Sequence, residues 1–263
     1  KKINLLNIIT ENIRLLNQTC LGIVGTRRPS VMAKYRIQSL FQSIPSMVIV
    51  SGGAMGIDAL AHQSALHHSY PTAAILASGL DKMTPATNRS IFQQMVASSH
   101  GCIASECPPG HPPKPYYFPQ RNRLIAALSQ RLLVVEAGQK SGAVITANIA
   151  AQLGTEVGAM IGSYNAPQNA GCHALINDGA TLIGDTQTLH DFLLNHRSTI
   201  PLNNNHSLSP IMKHIPNEPI HIDDLAAECK IPFNELIEEI TTLSLNGYIT
   251  ILPGQRICHD NTK

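Results

Sequence analysis

Short apolar runs alternate with amphipathic segments along the first two thirds of the chain. The clearest example is 47–62, MVIVSGGAMGIDALAH, in which a strand-like run gives way, across four small residues, to apolar positions at helical spacing. The strands predicted in this way cover 20–25, 48–50, 73–77, 102–105, 131–137, 157–161 and 181–183. Strands that alternate with helices at this spacing predict an α/β domain with an extended Rossmann-like, doubly wound and mostly parallel sheet.

The two ends of this region carry different patterns. Apolar residues recur on one face of residues 1–19, which predicts a helix and suggests the remnant of a longer N-terminal segment. The stretch 106–120, ECPPGHPPKPYYFPQ, contains too many prolines for a helix or a central strand, so we expect a surface loop there. The next helix is then expected to begin at Arg121.

The last quarter of the chain predicts a separate small domain. A polar linker at 196–209 follows the Rossmann-like domain of residues 20–195, and residues 210–263 read as three helices and a two-stranded ribbon. That combination is typical of a winged helix, whose third helix usually contacts DNA. Here the predicted third helix carries Glu235, Glu238 and Glu239 and no cation, which favours contact with a protein or a regulatory role.

Composition and charge narrow the functional classes. Residues 1–200 hold 15 Lys and Arg against 9 Asp and Glu, whereas residues 201–263 hold 4 against 8, so a basic body is joined to an acidic module. A basic body suits a polyanionic partner. No apolar run is long enough to span a bilayer, and six scattered cysteines without a CxxC pair fit a reducing cytoplasm. Cys102, Cys107 and His111 match no zinc-site spacing, and we expect no metal and no cofactor.

The candidate binding residues follow the predicted strands, where parallel sheets place their ligands. Five cations are expected to neutralise backbone phosphates, and six small or polar residues are expected to offer amides or hydrogen bonds. The cations are Arg27, Arg28, Arg121, Arg123 and Lys140, and the others are Ser51, Gly52, Gly53, Asn122, Ser141 and Gly142.

Several of these residues have a second interpretation. The glycines after the strand at 48–50 suit either a phosphate at a helix N-terminus or simply a tight turn. Arg27 suits either a phosphate or an ion pair within the chain, and Asn122 either a base edge or the cap of the following helix. The aromatic run 116–118 suits either base stacking or attachment of the proline-rich loop to the domain.

A catalytic set is missing from the sequence. There is no GxSxG elbow, no GxxxxGK followed by Ser or Thr, and no GxGxxG spacing. Asp58 and Glu136 are the acids nearest the predicted site, and the position of Asp58 at a helix N-terminus favours a role in stabilising that helix.

Five blocks of the chain together resemble the DNA-processing protein A family (DprA, also called Smf). They are GIVGTRRPS, IVSGGAMGIDALAHQSAL, ASECPPGHPPKPYYFPQRNRLIAALS, VVEAGQKSGAVITANIAAQLG and NAGCHALINDGATLI, in family order over about residues 20–184. The chain departs from the family pattern at Met55, where Arg or Lys is frequent, and at Thr84, where Tyr is common. The family's usual N-terminal helical domain is also not recognised.

The resemblance implies a fold and a function. It implies an extended Rossmann domain that binds single-stranded DNA without catalysis and forms a homodimer through that domain. It also implies protection of incoming strands during natural transformation and help in loading the RecA recombinase. The alternative is a nucleotide-processing enzyme of the lysine-decarboxylase-like Rossmann group, which the lack of a PGGxGT loop disfavours.

Overall fold

The computed structural model describes residues 7–8, 12–194, 210–216, 219–229, 231–232, 236–237, 239–240, 243, 249–252 and 256–259. The chain divides into two compact units, Lys1–His196 and Arg197–Lys263. No described helix combines the length and apolarity that crossing a bilayer requires.

The described residues of the first unit form eight strands and seven α-helices. The strands are β1 (Asn7–Ile8), β2 (Cys20–Val24), β3 (Val48–Ser51), β4 (Thr72–Leu76), β5 (Gly101–Ser105), β6 (Arg131–Val134), β7 (Glu156–Met160) and β8 (Thr181–Ile183). The helices are α1 (Val31–Leu40), α2 (Ile57–His67), α3 (Arg89–Ala97), α4 (Tyr117–Leu128), α5 (Gly142–Gln152), α6 (Ala170–Asn177) and α7 (Thr186–Leu194).

The sheet is doubly wound around β2. Its strand order is β1-β5-β4-β3-β2-β6-β7-β8, and all pairs are parallel except the antiparallel edge pair β1 and β5. The chain proceeds outward from β2 through β5 and then returns to β6 on the other side of β2. The predicted fold class is therefore confirmed, and the topological switch point lies between β2 and β6.

Alternating side chains of the central strand supply two hydrophobic layers. Cys20 and Val24 belong to a core beneath α4, α5 and α6, whereas Leu21 and Ile23 belong to a core beneath α1, α2 and α7. Since successive residues of a strand point to opposite faces, a strand with no polar position is covered on both sides.

Two local predictions are wrong. In the described part of residues 1–19 the predicted helix is not present, since Asn7–Ile8 pairs with β5 and Asn12–Asn17 forms a short 3-10 helix. Helix α4 begins at Tyr117, not at Arg121, and contains Pro119 in its first turn. Proline is tolerated there because the first-turn N–H groups have no acceptor within the helix.

The second unit contains a small antiparallel sheet. Its strands are β9 (Ile220–His221), β10 (Ile249–Leu252) and β11 (Arg256–His259), with β11 in the middle, and α8 spans Ile222–Cys229. Leu225, Leu236 and Ile257 belong to its hydrophobic core. The predicted linker 196–209, Glu235 and Glu238 lie outside the described residues.

Candidate functional site at the topological switch point

A cavity of about 440 Å³ opens where the strand order reverses. Its wall contains Val24 and Gly25 from the end of β2, and Gly138 to Gly142 from the loop that follows β6. In open parallel sheets, ligands bind in this crevice beyond the carboxyl ends of the strands. Of the predicted site residues, the cavity brings together Arg27, Arg121, Asn122, Lys140, Ser141 and Gly142.

Two backbone hydrogen bonds fix the loop that carries Arg27. The Thr26 amide donates to the Glu136 carbonyl at 2.7 Å, and the Ile57 amide donates to the Thr26 carbonyl at 3.1 Å. The close approach requires glycine at position 56, where φ is +83° and a side chain would collide with the Thr26 carbonyl. The exposed Arg27 guanidinium then lies 5.3 Å from the ring centroid of Phe118, a cation–π contact rather than an ion pair.

Glu136 stabilises the start of α1. Its carboxylate accepts from the Ser30 amide at 2.9 Å and from the Ser30 hydroxyl at 2.5 Å, and Ser30 caps α1 by accepting from the Ala33 amide. Both carboxylate oxygens are thus engaged by the chain itself.

The glycine turn after β3 already holds an anion. Asp58 Oδ2 accepts from the Gly52 amide at 3.2 Å and from the Ala54 amide at 3.3 Å. Burial raises the pKa of the Asp58 carboxyl, and the neighbouring Arg121 guanidinium counteracts part of that rise. The expectation that the Gly52 amide meets a phosphate therefore needs correction, because a carboxylate of the chain occupies that position.

Arg121 is buried beside the turn. Its guanidinium donates to the carbonyls of Gly52 and Ile75 and to the Asn122 side chain. Only glycine at position 52 leaves room for this guanidinium. Arg121 is therefore a structural cation of the cavity wall rather than an exposed phosphate ligand.

Ser51 and Gly53 are also buried. The Ser51 hydroxyl donates to the Ile23 carbonyl at 2.6 Å, and the Gly53 carbonyl accepts from the Asn88 amide group at 2.9 Å. Neither residue lines the switch-point cavity. The predicted contact of Ser51 and Gly53 with a ligand is therefore corrected. Ser51 links β3 to β2, and Gly53 links the turn after β3 to Asn88.

The N-terminus of α5 forms the opposite wall. Ser141 caps the helix, since its hydroxyl accepts from the Ala143 amide at 3.2 Å. Asn122 lies inside α4 and so does not cap that helix; its side-chain amide contacts the Gly142 carbonyl at 3.5 Å. Gly142 is exposed, and a methyl group at its Cα would meet open space. A ligand can therefore approach the Gly142 backbone closely.

The five predicted cations have different environments. Arg27, Arg28 and Lys140 are exposed, while Arg121 is buried. Arg123 bonds both oxygens of Glu106, at 2.7 and 2.5 Å, and does not line the cavity. Its predicted phosphate contact is corrected to an ion pair. Of the three exposed cations, Arg27 and Lys140 line the cavity, and Arg28 follows Arg27 in the chain without belonging to the lining.

Among the aromatic residues of 116–118, only Phe118 lines the cavity. Tyr116 and Tyr117 pack against each other with their ring centroids 4.4 Å apart. Because Phe118 lies in the first turn of α4, its ring is positioned by a helix rather than by a loop.

Sequence reasoning did not include the cations that follow β4 among the site residues. Parallel pairing of β4 with β3 places the loop after β4 at the same edge of the sheet, and it carries Lys82, with Arg89 at the start of α3. The available signal was the two cations in the segment that connects a predicted parallel strand to the next helix.

Comparisons with known families agree with this architecture. A family model described as DNA recombination-mediator protein A matches residues 7–194, and one described as the DprA winged helix domain matches residues 206–255. The predicted winged-helix domain is thus confirmed.

Curated relatives include proteins from distant bacteria. Protein Smf of Escherichia coli is 30% identical over 270 residues, which cover 95% of this chain and 72% of that protein. DprA of Streptococcus pneumoniae is 37% identical over 67% of this chain and 62% of that protein. For Smf of Synechocystis the identity is 43%, and the match spans 62% of this chain but only 41% of that protein.

Two solved structures share the fold. The X-ray structure of S. pneumoniae DprA superposes with a TM-score of 0.66 and 34% identity, covering 70% of this chain and 64% of that chain. The Helicobacter pylori DNA processing protein A, whose structure is described for its single-stranded DNA binding mode, gives a TM-score of 0.65 and 30% identity. It covers 72% of this chain and 86% of that chain.

Proposed function

The chain belongs to the DNA recombination-mediator protein A family, and from this premise we propose that its Rossmann-like domain binds single-stranded DNA without catalysis. The observation that carries the proposal is the switch-point cavity, whose lining includes Arg27, Lys140 and the exposed Gly142 backbone. Cationic side chains and accessible backbone amides bind the phosphates of a nucleic acid without distinguishing its base sequence.

The shape of the site favours an unpaired strand. Phe118 lines the same cavity as the cations, and base–aromatic stacking favours bases that are not paired in a duplex. The cation–π contact holds the Arg27 guanidinium beside the Phe118 ring. A base stacked at Phe118 would therefore have its adjoining phosphate close to the Arg27 charge.

The acids near the cavity support a non-catalytic role. A general base needs a carboxylate that is free to take a proton from the substrate. Asp58 instead accepts two backbone amides, and Glu136 accepts the amide and hydroxyl of Ser30. These bonds count against the use of either carboxylate as a general base, which the alternative, a nucleotide-processing enzyme, would need.

The wider biological role follows from the family premise. We propose that the protein is a cytoplasmic homodimer, associating through the Rossmann-like domain, that protects incoming strands in natural transformation. It would then help to load RecA recombinase on those strands. Faster onset of the DNA-dependent ATP hydrolysis of RecA in the presence of this protein would support that step, and an unchanged onset would contradict it.

Fluorescence anisotropy of labelled ligands tests the binding function. Single-stranded oligonucleotides of mixed sequence should bind more tightly than the matching duplex, with affinity that falls as salt rises, and mononucleotides should bind weakly. A protein that prefers mononucleotides would instead fit the enzyme alternative.

A further inference from the structure

The switch-point cavity continues into two further cavities. A narrower one of about 120 Å³ shares Arg27, Phe118 and Arg121 with it. That cavity in turn shares Thr84 and Pro113 with a third cavity of about 400 Å³. The smallest cavity, which is lined by Phe118 and is here called the constriction, shares lining residues with both larger cavities, and the three together are called the groove.

The third, outer cavity has the chemistry of a second phosphate site. Lys82 and Arg89 line it and are exposed. Its one lining carboxylate, Asp81, accepts the Gly110 amide at 2.8 Å, so one of its oxygens is engaged by the chain. The lining therefore carries two positive charges, of Lys82 and Arg89, and one negative charge, of Asp81.

The apolar lining of the outer cavity suits the other parts of a nucleotide. Met83, Pro112 and Pro113 contribute to its wall. Apolar surface interrupted by isolated cations matches a chain of sugars and bases joined by phosphates, and it does not match a lone inorganic anion.

We propose that a single DNA strand passes from the switch-point cavity through the constriction and into the outer cavity, where Lys82 and Arg89 bind the phosphates of the next nucleotides. This inference rests on the proposed function and extends it from one subsite to a path. Lys140 lies in the first cavity, Arg27 lines the constriction and Lys82 lies in the last cavity, so cations accompany the strand along its length.

The path predicts a dependence on strand length. We expect the switch-point cavity and the constriction to hold a strand of about four nucleotides, and a strand of about twelve to reach Lys82 and Arg89 as well. Longer strands should thus bind more tightly and release more counterions, which steepens the salt dependence.

Anisotropy titrations of both lengths of oligothymidylate test the path with the variant Lys82→Glu/Arg89→Glu. We expect wild-type affinity for the short strand, a loss of about tenfold for the long strand and a flatter salt dependence for the long strand only. The matched control is Arg14→Glu/Lys34→Glu, which makes the same charge change at two exposed residues outside the groove.

The other outcomes have distinct meanings. If the wild-type protein binds the long strand and the Lys82→Glu/Arg89→Glu variant binds it equally well, the extended path is wrong while the proposed function stands. Equal losses in the variant and in its control would also overturn the path, since the effect would come from net charge. A wild-type protein that binds neither strand would overturn the proposed function together with the path.

Discussion

Asp58 and Arg121 hold opposite ends of the Gly52 residue. The Gly52 amide donates to Asp58 Oδ2 at 3.2 Å, and the Gly52 carbonyl accepts from Arg121. Both side chains are buried and both line the switch-point cavity. The sequence suggested that the glycine turn after β3 binds a phosphate. In the structure, two charged side chains of the protein, Asp58 and Arg121, bind this turn instead.

Removal of one member of this pair should be costly. Arg121→Met leaves the Asp58 carboxylate without its neighbouring cation and leaves two carbonyls without a donor, and we expect a loss of about 3–5 kcal/mol in unfolding free energy. Urea unfolding followed by circular dichroism measures this loss. The double variant Asp58→Asn/Arg121→Met should lose less than the sum of the single losses; additivity within about 0.5 kcal/mol would show that the two residues are independent.

The sequence predicted the sheet well because its signals are local. Each strand of the parallel sheet is a short apolar run closed by small or polar residues, and parallel order then places the following loops at one edge. The position of Lys140 in the cavity wall follows from that logic alone.

Side-chain partners depend on residues far apart in the chain. Arg121 is 69 positions from Gly52, and the Glu106 partner of Arg123 lies across the proline-rich loop, so no spacing indicates either bond. The start of α4 was missed for a different reason, since proline reads as a helix breaker although the first turn accepts it.

His62 should make the fold sensitive to acid. Thr72 Oγ1 donates to the Ile49 carbonyl and so accepts from His62 Nδ1, which leaves buried Nε2 unprotonated and without a partner. Burial, with a contribution from Arg121, lowers the pKa of His62 from 6.5 to about 3. At pH values between these two pKa values, His62 is protonated in the unfolded chain and neutral in the folded protein, so the unfolded chain binds one more proton.

Neutral, buried His62 therefore costs no unfolding free energy above pH 6.5. Below that pH, the unfolding free energy decreases as the pH falls toward the pKa of His62 in the folded protein, about 3. His62 alone should contribute a loss of about 1.4 kcal/mol per pH unit in that window. Urea unfolding at pH 7 and pH 5 should show a smaller decline for His62→Gln than for wild type. His67→Gln, a change of an exposed histidine on the same helix, serves as the control and should decline as wild type does.

Charge reversal at the exposed cations Arg28 and Lys140 should weaken single-strand binding equally for all base sequences. Arg28→Glu/Lys140→Glu should reduce affinity for single strands of any sequence and lower the slope of log affinity against log salt by roughly 0.7 for each lost phosphate contact. Anisotropy titrations at several salt concentrations measure both quantities. Arg14→Glu/Lys34→Glu should retain the wild-type slope, and an equal change in both variants would rule out a localised site.

Gly142→Ala separates binding from folding. The added methyl group meets open space within the chain, so the melting temperature should be unchanged or slightly raised by the better helix propensity of alanine. It would, however, stand between a phosphate and the backbone, and we expect single-strand affinity to fall by about tenfold, roughly 1.4 kcal/mol. Wild-type affinity in this variant would show that no ligand approaches Gly142 closely.

Fluorescence of a tryptophan at position 118 tests the location of the bound strand most directly. The chain contains no Trp, so Phe118→Trp places the only indole in the wall of the switch-point cavity. We predict that its emission is quenched by stacking as oligothymidylate is added, with the same midpoint as the anisotropy titration, and that Tyr116→Trp responds weakly. Binding that is visible by anisotropy but leaves the emission of Phe118→Trp unchanged would contradict a strand seated at the switch point.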